Sequence, residues 1–464
     1  MSSTETSATT RLTTRSLVGF GLAAVPSQFM YILILIMYLK YAVDDLGASA
    51  AAVGTIFLVA KLWDAVSDPL IGNLSDRTQS RWGRRRPWLC VSAPLLSGFA
   101  IMVWVPPAGL DGAWLIAWIT VAVLGFYTAF TIFDVPHMAL GAELTFERQE
   151  RNRVFGIRQA MRILGMLAAG TGGAYLVQQG AATAALMSYV AGVLTLVFVI
   201  GGVSLTPAER PDFAGRGGDN PFRAVRDVFA NRHARLLLFV FFIESIGSGG
   251  IGVLTPFVVE YVMKMQEIVP ILLGVFMVSS LAAVPLWVWL GNFFEKRRLW
   301  LFAMVQGGIG YGLLFWLGEG DWLLMTVSSI LSGTASACGS TLGQALKSEV
   351  IDFDEYQTGE RKEGAYFAGW SFMSKLAAGI MVGVVGYSLE LTGYVENAAE
   401  QTEQVKDTMI FLMGGVPLVG YGIGSLMFTR FSLSEAEHAR IRAELDSRAF
   451  ESSRPETDGP GHSD

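Results

Sequence analysis

Long blocks of apolar residues recur along this chain, separated by short polar breaks, too regularly for a water-soluble globule. Read as membrane-crossing helices, the blocks span residues 17–40, 49–74, 88–106, 113–138, 154–178, 183–205, 235–262, 270–291, 299–318, 322–346, 364–390 and 408–430. Each is close to the ~20 residues that a bilayer requires. The pattern predicts an all-α polytopic membrane protein with twelve transmembrane helices. Composition agrees: of 464 residues, 52% are hydrophobic and only 16% are charged. The apolar run after the polar segment Met1–Ser16 is too long for a signal-peptide core and reads as the first helix.

Charge placement adds an orientation. Arg77, Arg81, Arg84, Arg85 and Arg86 follow the second block, Arg148, Arg151 and Arg153 the fourth, and Lys296, Arg297 and Arg298 the eighth. These are all even-numbered breaks. The odd-numbered breaks lean acidic, with Asp44, Asp45, Asp111, Glu319, Asp321, Glu396, Glu400 and Glu403. Because Lys and Arg near helix ends are retained in the cytoplasm, both termini are expected there, in a plasma (bacterial inner) membrane. Cys90 and Cys338 fall in opposite halves, so no disulfide is expected, and no Cys/His cluster suggests a metal centre.

The stretch from Thr206 to Arg232 is rich in Pro, Gly, Arg and Asp, the composition of a connector, and divides the blocks six and six. The halves echo one another. Gly72-Asn73-Leu74-Ser75-Asp76-Arg77 corresponds to Gly291-Asn292-Phe293-Phe294-Glu295-Lys296, and Ala139-Leu140-Gly141-Ala142-Glu143 to Ala345-Leu346-Lys347-Ser348-Glu349. The expected organisation is a six-helix half over 1–205, a connector over 206–233, a second half over 234–431 and a tail over 432–464. Repeated halves around a central cavity are the architecture of many secondary transporters. Within the connector, Asn220-Pro221 resembles a helix start, and Phe222, Val225, Val228 and Phe229 form an apolar stripe suited to a surface helix. A further helix is expected from Ser434, with Glu437 completing a capping box, and residues after about Ser452 are expected to be disordered.

The second block contains Trp63-Asp64-Ala65-Val66-Ser67-Asp68-Pro69, two carboxylates one helical turn apart. An ionised aspartate at a bilayer centre costs roughly 2.5 to 3.5 kcal/mol on insertion scales. Residues i and i+4 share a helix face, so Asp64 and Asp68 can hold a small cation together or share a proton. Thr131 and Asp134, three apart in the fourth block, offer further oxygens, and Na+ at Asp64, Asp68 and Asp134 is one reading. A purely structural carboxylate cluster is the other. Asp68 and Asp134 stand next to or near Pro69 and Pro136, where freed carbonyls could add ligands or a kink could simply aid packing.

The run from Asp64 to Pro87 resembles the glycoside-pentoside-hexuronide:cation symporters of the major facilitator superfamily. Asp134-Val135-Pro136 with Glu143, Glu150, Arg151 and Arg158 resembles that family's fourth and fifth helices. Glu349, Asp352, Tyr356, Thr358-Gly359, Arg361, Glu363-Gly364 and Lys375 resemble its tenth-to-eleventh loop and eleventh helix. The likeness covers essentially the whole chain and implies the major facilitator fold, twelve helices in two pseudo-symmetric six-helix halves. By that resemblance Asp64, Ser67, Asp68, Thr131 and Asp134 form the cation site, Asp134 and Arg158 also face the sugar, and Lys375 lies close to both. Two departures stand out: Gln28 replaces a sugar-binding aspartate in the first helix, and Met138 replaces a stacking tryptophan in the fourth.

Physical readings attach to the remaining intramembrane polar groups. Lys375, with Trp370 and Tyr366 nearby on the chain, can pair with the aspartates and link ion to substrate occupancy, or form a static interhelical pair. Arg158 and Arg162 can donate paired hydrogen bonds to sugar hydroxyls. Glu244 precedes a Ser/Gly run that suits either a gate bend or close helix packing. His137 reads more readily as structural than as a titrating group. Asp76, Arg77, Arg84, Glu143 and Arg151, together with Glu349, Asp352 and Arg361, are expected to latch the cytoplasmic side and set the conformational equilibrium without touching substrate; Glu150 and Glu363 belong to the same network. The expected substrate-lining residues are Gln28, Asp134, Met138, Arg158, Arg162, Trp370 and Lys375.

These features point to a cation-coupled symporter, working as a monomer with Na+ or H+ as coupling ion and no cofactor, that takes up a sugar or glycoside. An amphipathic substrate such as a lysolipid is the alternative. An enzyme reading lacks a nucleophile, base and oxyanion set, and nucleic acid is not an expected partner, whereas membrane lipid is.

Overall fold

A computed structural model of the protein describes residues 12–145, 148–207, 228–359 and 363–452. Twelve helices long and apolar enough to cross a membrane run through them. They are α1 (Thr14–Asp44), α2 (Ala50–Arg77), α3 (Arg86–Trp104), α4 (Gly112–Gly141), α5 (Arg153–Gln178), α6 (Ala181–Leu205), α7 (Arg232–Tyr261), α8 (Gln266–Leu290), α9 (Lys296–Trp316), α10 (Trp322–Thr358), α11 (Tyr366–Leu391) and α12 (Glu403–Phe428). A final helix, α13 (Glu435–Ser452), begins as the capping box predicts, with the backbone N–H of Glu437 donating to Ser434 Oγ at 3.2 Å. The predicted connector helix around Asn220 and the tail beyond Ser452 lie outside the described residues, as does Arg361. Both cysteines are free thiols.

All twelve expected blocks fall on helices, and three differences are physically informative. The helix of α1 runs on to Asp44, so an acid expected in a loop rides on a transmembrane helix. The helix of α10 extends twelve residues past its expected end, which puts Glu349 and Asp352 on a helix and not in the loop that the resemblance implied. It stops at Gly359, whose φ of 71° is a left-handed conformation that glycine enters without a Cβ clash. Pro69 and Pro136 sit inside α2 and α4 without ending either helix. Irregularity falls instead in α1 and α7, interrupted at Ala23 and Gly250, and in α5 and α12, each of which widens into a π turn, at Ala169–Gly173 and Phe411–Gly415.

In the first half α4 packs on α2 and α3, α3 on α6, and α1 on α5 and α6; in the second, α10 packs on α8 and α9, and α7 and α9 on α12. The halves meet chiefly through α2 against α11, with smaller contacts of α1 against α7 and of the π turn of α5 against α8. Small residues make the main seam. A Cβ on Gly386 would stand 2.3 Å from the carbonyl oxygen of Ala50, and one on Gly54 would stand 3.0 Å from that of Val382. Backbones this close are the usual means of packing helices in lipid, where no hydrophobic force drives them together.

The seam has a direction. It involves the first turns of α2 and the last turns of α11, at the end of the bundle remote from the arginine-rich loops. There one continuous apolar core joins both halves, with Val53 and Phe57 of α2, Phe257 of α7, Leu272 of α8 and Val385 of α11 in the same cluster. At the arginine-rich end a separate cluster, including Leu299, Leu346, Phe353, Tyr366 and Phe428, belongs to the second half alone. The halves are joined at one end and part at the other.

Candidate ion and substrate site

Midway along the seam, α2 turns Asp64, Ser67 and Asp68 toward α4. Thr131 Oγ1 lies 2.8 Å from Asp64 Oδ1 and 3.1 Å from Asp68 Oδ1, and Ser67 Oγ donates toward Thr131 at 3.4 Å and to the Asp64 carbonyl at 3.2 Å. From the other half, Lys375 Nζ on α11 donates to Asp68 Oδ2 and stands 3.0 Å from Asp64 Oδ2. Asp64 is almost fully buried, whereas the Asp68 side chain keeps 30% exposure toward the space between the halves. Two carboxylates, two hydroxyls and one ammonium thus share a small volume. An oxygen set of this kind suits a hard cation, and the carboxylates suit a proton equally well.

Asp134 is not drawn into this set. Arg158 of α5 reaches it at 2.5 Å, and among the described residues no three His, Cys, Asp or Glu side chains converge to hold a metal ion. In this conformation the structure does not bring Asp134 together with Asp64 and Asp68, because the Arg158 guanidinium holds the third carboxylate. Arg158 is itself oriented by His137, whose Nδ1 accepts from Arg158 Nε at 3.1 Å. An arginine can only donate, so His137 carries its proton on Nε2 and gives it to the Phe20 carbonyl at 2.9 Å. The ring is held between Phe20 and Phe133. His137 thus holds Arg158 in this conformation. One turn on, Arg162 Nε donates to Gln28 Oε1 of α1 at 3.1 Å.

Asp134, Arg158, Arg162 and Gln28 therefore form a polar wall next to the carboxylate pair. Met138, one turn past Asp134 on the same face of α4, is exposed beside this wall. Trp370 is not brought to it but is buried in the core of the second half, under the ammonium of Lys347. Trp370 and Lys375 are five residues apart, about 140° around a helix, so they face different ways.

The sequence reading missed Lys61. It is 1% exposed, one turn before Asp64 on α2, donates to Tyr31 Oη at 2.8 Å and lies over the Tyr127 ring at 3.9 Å. A lysine inside an apolar block three residues before a buried aspartate was a legible signal. A second omission closes the remote end. Lys40 of α1 bonds Asp44 of its own helix and Glu260 of α7 at 2.6 Å, beneath the Phe257 and Tyr261 rings. Tyr394 Oη donates to Asp44 at 2.6 Å, Ser49 and the Ala51 N–H bond Glu390, and Thr55 bonds Tyr387 at 3.0 Å.

At the arginine-rich end the basic loop pairs with Glu143, as its charge pattern leads one to expect, and in this conformation these pairs stay inside one half. Arg84 and Arg85 bond Glu143 at 2.8 and 3.0 Å, and Arg85 also holds Asp76 and Ser75, all within the first half. Lys296 holds Glu349 at 2.6 Å within the second half, and His438 of α13, in the tail, meets Asp352 at 2.9 Å. Arg77 is exposed and joins none of these pairs, and Glu150 pairs locally with Arg153 rather than with the basic loop. The side chain of Arg151 is outside the described set. The glycine run after Glu244 packs closely, Gly247 on Pro417 and Gly249 on Ala378, and the helix is also interrupted at Gly250, so both readings of the run find a counterpart.

Twelve helices in two packed halves, with charged groups converging at mid-depth on the seam between them, define a secondary transporter of the major facilitator fold. A solved nucleoside transporter aligns with a TM-score of 0.66 at 14% identity, over 89% of this chain and all of that one. The family described as MFS/sugar transport protein matches residues 19–435, and the chain belongs to it. Among curated relatives, the isoprimeverose transporter of Lactiplantibacillus pentosus is 26% identical over 93% of this chain and 91% of its own length. The sodium-dependent lysophosphatidylcholine symporter 1 of Xenopus tropicalis is 24% identical over 84% and 82%.

Proposed function

We propose that this protein couples entry of Na+ or H+ to uptake of a sugar or glycoside by alternating access, residues 1–205 and 234–431 rocking as halves about the connector. One observation carries the reading: a single ammonium, Lys375, reaches from the second half to two carboxylates of the first. A cation binding Asp64 and Asp68, assisted by Ser67 and Thr131, competes with that ammonium and releases Lys375. Ion occupancy thereby changes the contact between the halves, which is what coupling requires.

Substrate contacts follow from the adjoining wall. Arg158, Arg162, Asp134 and Gln28 offer donors and acceptors that match a ring of hydroxyls, a chemistry consistent with the isoprimeverose relative. The lysophosphatidylcholine relative supports the second reading, an amphipathic substrate. By the positive-inside rule the arginine-rich end, with both termini, lies in the cytoplasm of a plasma (bacterial inner) membrane, so the conformation described is sealed outside and parted inside. The transport unit in this reading is the monomer.

Uptake by purified protein in liposomes tests it, with isoprimeverose, a glucuronide and lysophosphatidylcholine offered under an inward Na+ gradient, a proton gradient or neither. A sugar accumulated under one gradient identifies substrate class and ion together. Asp64→Asn strips one charge from a buried pair, a loss on the order of 3 kcal/mol, and should cut gradient-driven uptake about a hundredfold. Accumulation of lysolipid alone transfers the site to the second reading, and sugar flux indifferent to both gradients overturns coupling.

A further inference from the structure

Where α7 begins and α12 ends, on the outer side of the second half, the structure holds a cavity of about 370 Å³. Arg232, His233, Arg235 and Arg430 line it, with Phe239 and Met427 forming apolar wall. The cations come from two different helices. Arg232 and Arg235 open α7, and Arg430 follows the last turn of α12, so all three stand at the boundary where the arginine-rich end leaves the membrane. Below them the wall turns apolar: Phe239 is one turn into α7 from Arg235, and Ile423, one turn before Met427, is exposed on the same face of α12.

Within the described residues none of these three arginines has a carboxylate partner. Arg232 Nε donates to His233 Nε2 at 3.2 Å, and Arg235 reaches the Phe229 carbonyl at 3.4 Å; both leave most of their N–H groups uncommitted. Three other arginines at this end are paired with carboxylates. Arg84 and Arg85 are spent on Glu143, and Arg298 on Glu295. Three uncompensated guanidiniums around one concavity repel one another, and a tetrahedral oxyanion with several acceptor oxygens relieves that repulsion through paired, charge-assisted hydrogen bonds. An apolar wall directly beneath favours an anion that carries a hydrocarbon chain.

We propose that this cavity binds the phosphate of an anionic phospholipid from the leaflet at the arginine-rich end, with an acyl chain along Phe239, Met427 and Ile423. The site is separate from the carboxylate pair and polar wall at mid-depth. A lipid held there bridges α7 and α12, the first and last transmembrane helices of the second half, and braces that half where the connector enters it. Basic pockets between transmembrane helices recruit lipid headgroups in this manner, each cation near the surface contributing on the order of a tenfold preference or less.

The test is native mass spectrometry of the full-length protein in detergent, titrated with phosphatidylglycerol, with phosphatidylcholine of the same chains, or with glycerol phosphate. The expected result is at least about tenfold tighter retention of phosphatidylglycerol than of phosphatidylcholine. R232Q/R430Q should abolish that preference, R232K/R430K should keep part of it, and R298Q should leave it intact. Comparable unfolding temperatures of all variants without lipid establish that the loss is not misfolding; if R232Q/R430Q fails to fold, R235Q is read in its place. Equal retention of the two lipids, or an unchanged preference in R232Q/R430Q, overturns the proposal. Competition by glycerol phosphate as strong as by the lipid overturns the lipid source in favour of a soluble phosphate.

Discussion

The two ends of this molecule use the same charged chemistry to different effect. At the remote end Lys40 reaches Glu260 across the halves, Ser49 reaches Glu390, and Tyr394 reaches Asp44. At the arginine-rich end Arg84 and Arg85 hold Glu143, and Lys296 holds Glu349, each inside one half. An ion pair stabilises a conformation only if its partners move relative to each other in the transition; a pair carried on one rigid body stabilises that body in every conformation. We infer that the first set works as a gate and the second as staples. Sequence proximity to loops does not distinguish the two roles, whereas the partner across the gap does.

Three substitutions challenge this contrast. The readout is labelling of a Thr55→Cys probe by an impermeant maleimide from the remote side, in a Cys90→Ser, Cys338→Ser background. Gly386→Val forces a side chain into a gap of 2.3 Å against Ala50, so the seam cannot close; labelling should rise by well over tenfold and uptake should fall to background. Lys40→Gln leaves Asp44 and Glu260 facing each other unneutralised, which weakens the closed end by about 1.4 kcal/mol or more and should raise labelling about tenfold. Arg85→Gln should leave labelling unchanged and lower the unfolding temperature by roughly 2–4 °C, as loss of a staple within a chain this large implies. A rise in labelling in Arg85→Gln would erase the distinction between gate and staple.

Much of this was legible in the chain. The apolar blocks locate all twelve helices because lipid demands a long uninterrupted apolar run, and the Asp64 and Asp68 spacing locates the pair because the helix period is local. Ser434 announces α13 for the same local reason. What stayed hidden depends on distance or on facing. Lys40 and Glu260 are 220 residues apart, and nothing local marks them as partners. The extension of α10 was obscured because buried Lys347, Glu349 and Asp352 read as loop, although partners on other elements, such as Lys296 for Glu349 and His438 for Asp352, accommodate their charge. The pairing of Asp134 with Arg158, 24 residues on and in the next helix, likewise has no local mark in the chain.

The cross-half contact of Lys40 has one more implication. Its side chain and that of Asp44 are each less than a tenth exposed and lie behind the Phe257 and Tyr261 rings, beyond the easy reach of mobile counter-ions. Surface pairs such as Lys264 with Glu319 and Glu400 stand in open solvent, where a Debye length of about 8 Å at physiological ionic strength blunts them. Closure of the remote end by these charges should therefore persist from fresh water to brine while the surrounding loops loosen.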